Sequence, residues 1–545
     1  MAGFLDNCKR FLSRRQTGII FLLVAILVKV ITQFAFFRLV GDKAWQLLAA
    51  KNFLSGHGIA INSVSLDNIS VDNFTPLLGW PPGYSIILTP LLWLFKNDYK
   101  TAALVFDIFC VFPFFYYLIR LLNFLSLQKW LRNLFILFVG FFNYPVGSGY
   151  STDLISFCCV IAGFYYVLVF MRENAGSQGL VIPLTLSLFL AVFFRYSYIP
   201  VVLCFPALLI IAGILNGEKK WIRSGLLTGS ILGFLLFLLM YFQHSYTGSS
   251  TFINSSAKGL FPGNLLYIVP IIPASLFDTG VGLTLFTRFT VSDYISNAKA
   301  LSITGSVILF FLVSYGMNWG RKRIRQLKTN LDYFTYIGFF VSIIILCLLA
   351  FLSLRNSSYM STFVPYWTYV QEFRYFIFLI LFIQVIIFAY LFNRFRLLSG
   401  FWKKIAICCG LLMTLDFSHQ IYFITKLLFF SKHPFNQTAI YQAETIPVFS
   451  IYKNAQLQYP GFEIIVASPQ NDACNFAGLE NLKAVYHAFP GSFTQPITSR
   501  VPAKIMIAIP SHMLTEYNAV LNRLSPHYFG KTNNLFFYLL DVPMQ

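Results

Sequence analysis

Eleven mostly apolar runs divide this chain, each approaching the roughly 20 residues that a helix needs to cross a bilayer. They cover about 17–38, 101–122, 132–147, 154–171, 179–194, 198–215, 225–242, 299–317, 333–354, 376–392 and 405–424. A chain built this way cannot bury its apolar surface against itself alone. Only 11% of the 545 residues are charged and 57% are hydrophobic, whereas a soluble domain carries about 25% charge. The expected fold is an all-α polytopic membrane protein with about 11 transmembrane helices. The first run lacks a small-residue cleavage site and is too long for a signal-peptide core, so it is read as an anchor.

The net charge of +20 could suggest nucleic acid, but its distribution argues otherwise. No run of six like charges occurs. Half of the 40 basic residues fall in alternate short loops: Lys9 to Arg15, Arg120 to Arg132, Arg172, Lys219 to Arg223, Arg321 to Lys328 and Arg394 to Lys404. This is the positive-inside pattern of a membrane protein. It holds only if the twelve apolar residues 84–95, which include Pro90, do not span and form a juxtamembrane helix instead. The N-terminus is then cytoplasmic. The C-terminus and the loops 39–100, 243–298 and 355–375 are extracytoplasmic.

The domains expected are therefore a transmembrane domain, 1–424, and a small C-terminal extracytoplasmic α/β domain, 425–545. In the tail, 462–469, 504–510 and 533–542 read as strands bounded by turn residues. Residues 512–524 read as a helix with Ser511 at its N-cap. Of the nine cysteines, the tail holds only Cys474 and so no internal disulfide. No CxxC or HExxH spacing signals a metal site.

The stretch after the first run, GDKAWQLLAAKNFLSGHG (41–58), is the most informative. Asp42 opens an amphipathic helix where the chain leaves the membrane, and Gly56 and Gly58 stop it. The helix dipole favours an ionised carboxylate there. This layout resembles the first outer loop of the GT-C superfamily of membrane glycosyltransferases, in the branch of protein O-mannosyltransferases and aminoarabinose transferases. Asp42, Trp45, Ala49, Asn52, Leu54, Gly56 and Gly58 carry the resemblance, with Trp45 where the family usually has Tyr. It continues through GWPPGYSIILTPLLWLF (79–95), GYSTDLISFCCVIAG (149–163), FFRYSYIP (193–200), FPGNLLYIVPIIPASLF (261–277) and EFRYFIFLIL (372–381). Trp80 stands near the proline pair where the family most often has a Lys.

The resemblance implies a GT-C fold and transfer of a sugar from a polyprenyl-phosphate carrier to an acceptor hydroxyl on an envelope glycan, lipid or protein. It implies Asp42 as base, Asp153 as second acid, and Arg195 and Arg374 as ligands of the donor phosphate. Lys96, at the end of the juxtamembrane helix, could also meet that phosphate. Trp45, His57 and Tyr375 are the expected sugar or acceptor contacts. No cofactor is signalled, and a divalent metal stays open because relatives differ on metal use. Partners beyond donor and acceptor are membrane lipids, not nucleic acid. Lys29 and Asp107 read as a structural pair within the first two spans. A lipid-linked polysaccharide polymerase or ligase and a lipid-linked glycan flippase are the competing readings. The acid directly after the first span favours the transferase, and the absence of a half-to-half repeat speaks against transport.

Overall fold

The computed structural model describes residues 8–35, 39, 41–77, 80–142, 151–173, 178–247, 327–355, 377–426, 442–494 and 497–544, with scattered positions at 276, 307–323 and 429. In chain order the elements begin with α1 (Arg15–Ala35), α2 (Gly41–Leu54), β1 (Ala60–Ser65), β2 (Asn68–Pro76), α3 (Gly83–Leu94) and α4 (Tyr99–Phe124). There follow α5 (Lys129–Phe141), α6 (Ser151–Glu173), α7 (Val181–Phe194), α8 (Ile199–Asn216), α9 (Lys219–Thr247), α10 (Asn330–Arg355), α11 (Ile377–Ile386) and α12 (Gly400–Thr425). The last section comprises α13 (Gln442–Gln458), β3 (Glu463–Ser468), α14 (Asn471–Leu479), β4 (Lys483–Tyr486), β5 (Ala503–Pro510), α15 (Leu514–Leu524), β6 (His527–Lys531) and β7 (Leu535–Val542). The protein is a polytopic helical membrane protein with a small C-terminal α/β domain.

The chain divides into two compact units. One comprises Met1–Ile31, Ile108–Gly147 and Thr152–Lys426; the other comprises Thr32–Asp107, Ser148–Ser151 and Leu427–Gln545. Among the described residues, six helices are long and apolar enough to cross a membrane, and Gly83–Leu94, Val181–Phe194, Asn330–Ile345 and Ile377–Phe392 are shorter apolar helices. The expected span 299–317 lies mostly outside the described residues, as do nearly all of the loops 243–298 and 355–375.

In the first unit, close approaches fix the helix packing. A Cβ on Gly140 would lie 2.4 Å from Ala25 Cβ, so α1 and α5 meet through two small residues. Lys29, inside α1, donates to the Phe142 carbonyl at the end of α5. Beyond α11 the helix widens into a π-helical turn, Ile387–Phe392.

In the second unit, β1 and β2 form an antiparallel hairpin closed at Ser65 and Asn68. The tail forms a five-stranded sheet in the order β4-β3-β5-β7-β6. Strands β4, β3 and β5 are parallel, while β7 and β6 run antiparallel. The three expected strands are present as β3, β5 and β7, and β4 and β6 are added at the two edges. Ser511 opens a 3-10 turn, Ser511–Met513, and Met513 is the N-cap of α15. The expected capping role of Ser511 is therefore not realised. Val64, Leu66 and Ile69 of the hairpin lie in the same apolar core as Ile465, Ile505, Ile507 and Tyr517 of the tail. The first long loop and the tail thus share one apolar core.

The segment 83–94 folds as a twelve-residue helix with Pro90 inside it, burying Tyr84, Leu88 and Leu92. Trp93 and Leu94 stay exposed.

Candidate active site

Helix α2 is the centre of the second unit. The sequence suggested an amphipathic helix, but packing by α3, α14 and β1 buries it on nearly all sides. Ala44, Leu47, Leu48, Ala49 and Ala50 are buried, and so are the polar Lys43 and Gln46. Its stop is as expected, with Gly56 at φ +85° and Gly58 at φ +76°, a region that residues with a Cβ seldom occupy.

Burying Lys43 requires a counter-charge, and Asp107 supplies it at 2.5 Å. Asp107, expected beside Lys29, is thus the partner of Lys43. Asp42 keeps partial exposure in the first turn of α2. Gln46, one turn on, donates to the Asp42 carbonyl at 3.2 Å.

Trp45 stacks on Trp80, 6.2 Å away at 20°, and on Tyr486 of β4, 5.1 Å away at 25°. The Tyr486 hydroxyl donates to Asn475 Oδ1 at 3.0 Å. The aromatic stack is therefore fastened to α14, the helix that also carries Asp472.

Helices α2 and α14 run side by side in the same direction. At their far ends Lys51 donates to the carbonyls of Gly478 (2.6 Å) and Leu479 (3.1 Å). Gly478 allows this approach, since a Cβ there would stand 2.9 Å from Leu48 Cδ1. Burial lowers the Lys51 pKa to about 8, with Glu480 partly opposing the shift. At their near ends Asp42 and Asp472 occupy the first turns of the two helices. Burial, and then the charge of Asp42, push the Asp472 carboxyl up to about 6. Two helix N-termini thus present two carboxylates, and one of these retains its proton into the mildly acidic range.

The first unit holds a separate polar pair. Asp153 lies in the first turn of α6 and is 1% exposed. Arg195, at the C-cap of α7, forms an ion pair with it. Arg195 Nε also donates to Ser197 Oγ at 2.9 Å. Two residues expected at the site are brought together here. A buried carboxylate answers the Arg195 charge, which fixes the guanidinium in place.

The remaining expected residues are placed as follows. His57 is exposed between the two stop glycines, with its ring stacked on Phe74 at 3.9 Å and 8°. Lys96 is exposed in the turn after α3, at φ +52°. Arg374 and Tyr375 lie outside the described residues. Among the described residues, no group of three or more His, Cys, Asp or Glu side chains is arranged to hold a metal ion.

Asp472, Asn475 and Tyr486 are members of this cluster that sequence reasoning did not single out. The one local signal is an Asp at the start of a short tail helix, NDACNFAGL, the same device as Asp42.

Comparison with protein-family models gives no match, and comparison with curated proteins gives none either. Among solved structures, the chain is similar to ArnT from Cupriavidus metallidurans bound to undecaprenyl phosphate. The TM-score is 0.49, with 12% identity over 96% of this chain and 97% of that one. The apo state of the same protein gives a TM-score of 0.48 at 12% identity, over the same shares of the two chains. An Archaeoglobus fulgidus oligosaccharyltransferase in complex with Zn and sulfate gives 0.47 at 11% identity, over 97% of this chain and 73% of that one.

Proposed function

We propose that this protein is an inverting glycosyltransferase of the GT-C type. It moves a sugar from a polyprenyl-phosphate carrier to an acceptor hydroxyl on the outer face of the cytoplasmic membrane, where an envelope glycan, lipid or protein presents it. The observation that carries this reading is the setting of Asp42: a partly exposed carboxylate at a helix N-terminus, one turn from the Trp45 stack and next to Asp472.

The chemistry follows from these groups. An acceptor hydroxyl is a weak nucleophile at neutral pH, and a positioned carboxylate that takes its proton contributes about 10²–10⁴ in rate. Asp42 fills that role. The acceptor oxygen bonds to the anomeric carbon from the face opposite the phosphate. The bond from that carbon to the phosphate oxygen breaks in the same step, inverting the centre, and the proton passes to Asp42. The carrier phosphate leaves as an anion and needs no acid, but it needs cations to hold the developing charge. Arg195 and Arg374 are assigned to it, with Lys96 beside the membrane surface and Asp153 orienting Arg195. One base suffices, unlike glycoside hydrolysis, where two carboxylates flank the bond. Asp472 is assigned as the carboxylate that sets the charge beside the base. Trp45, Tyr375 and His57 are assigned to sugar or acceptor contact.

The test is sugar transfer by the purified, detergent-solubilised protein from short-chain polyprenyl-phosphate sugars, wild type against Asp42→Asn. Turnover that falls by about 10²–10⁴ in the variant, with unchanged folding and carrier binding, supports the assignment. A variant as active as wild type moves the base elsewhere. Binding of lipid-linked glycans with no turnover of any donor favours the polymerase, ligase or flippase readings.

A further inference from the structure

A second site lies in the first unit, at the end of the helices where the basic loops gather. A crevice of about 740 Å³ opens between α5, the π-helical turn Ile387–Phe392 and α12. Its depth is apolar, formed by Leu134, Phe138, Phe388, Phe392, Met413 and Phe417. Its mouth is basic, formed by Lys9, Arg394 and Arg396, and its lining contains no Asp or Glu.

Two of the three cations are held by aromatic rings. Lys9 Nζ stands 5.7 Å over the Trp130 ring and Arg394 stands 5.5 Å over the Tyr390 ring. Among the described residues none of the three forms an ion pair with a carboxylate. The π turn matters to this geometry, because such turns redirect side chains locally and recur at functional sites. Here Asn393 and Arg394 link it to the 3-10 turn Phe395–Leu397 that carries Arg396.

We propose that this crevice binds an anionic diacyl phospholipid, with the headgroup phosphate among Lys9, Arg394 and Arg396 and the start of an acyl chain in the apolar depth. Charge complementarity selects the occupant. A zwitterionic lipid brings a phosphate but also a further cation beside the three, and a free phosphate leaves the apolar depth empty. The volume falls in the range of small-molecule pockets, so the crevice takes the headgroup end of the lipid while the chain ends remain in the bilayer. Basic pockets between membrane helices are a recurring solution for anionic headgroups. The site is independent of the chemistry assigned to Asp42.

Native mass spectrometry and thermal unfolding of the full chain in detergent test the proposal. The probes are dioleoyl-phosphatidylglycerol, dioleoyl-phosphatidylcholine and inorganic phosphate. Phosphatidylglycerol should give a retained one-to-one adduct and raise Tm, and the other two should do neither. At roughly 1 kcal/mol, or fivefold, per cation near an anionic headgroup, K9Q/R394Q/R396Q should weaken the adduct roughly 100-fold. Met413→Trp, which fills the depth and leaves the charge unchanged, should also abolish it. Equal binding of phosphatidylcholine, a Tm rise with inorganic phosphate alone, or a triple variant that keeps the full phosphatidylglycerol effect would overturn the proposal.

Discussion

Asp472 keeps its proton up to pH about 6 because it is buried and because Asp42 stands beside it. The two residues belong to the first long loop and to the tail, and they meet because α2 and α14 lie side by side. The pairing gives the second unit a measurable dependence on pH.

The sign follows from the shift. A carboxyl that releases its proton at 3.8 in the unfolded chain and near 6 in the fold binds a proton more tightly when folded. Stability is unaffected below about pH 4 and falls as pH climbs to 6. Above that it stays lowered. A shift of about two units corresponds to at most roughly 3 kcal/mol. Asp472→Asn should therefore raise the unfolding midpoint at pH 8 and leave it unchanged at pH 4. A gain of equal size at both pH values would contradict the pairing.

The Asp153–Arg195 pair makes a different prediction. Removing one partner leaves the other charge buried and alone, at a cost of about 3–5 kcal/mol, while removing both costs much less. Arg195→Gln alone should destabilise the protein strongly, and Asp153→Asn added to it should restore most of the loss. A double-mutant cycle of thermal unfolding in one detergent reads this coupling, and strictly additive single effects would show that the pair is not coupled.

Gly478 holds the two carboxylate-bearing helices at their spacing. A side chain there meets Leu48, so Gly478→Val should cost about 1–3 kcal/mol. Leu48→Ala on that background should recover part of it. The near-ultraviolet signal of the Trp45–Tyr486 stack should follow the same order. If Gly478→Val proved as stable as the parent, the helices could not be in contact there.

How far the sequence could be read depended on how local the determining physics was. Apolar length is local, so the apolar helices, including the twelve-residue helix at 84–95, were legible. So were α2, from Asp42 and the Gly56/Gly58 stop, and the three longest tail strands. The hairpin was not, because β1 and β2 are mostly polar and their few apolar residues find a core only against Ile465 and Ile505. The burial of Lys43 was not legible either, since its partner Asp107 belongs to the next span. Asp472 was missed for the same reason: the residues that shift it and fasten its helix, Asp42 and Lys51, come from the other end of the chain.

That shared core also sets an order of events. Val64, Leu66 and Ile69 leave the ribosome about 400 residues ahead of the tail strands that cover them. At about 5–20 residues per second this is a wait of roughly 20–80 s. Throughout it, the loop that carries Asp42 can be reached by proteases and holding chaperones. The surroundings of Asp42 are completed only once the tail strands have emerged, and a cut in the tail removes the strands that cover Val64, Leu66 and Ile69 while leaving Asp42 itself in place.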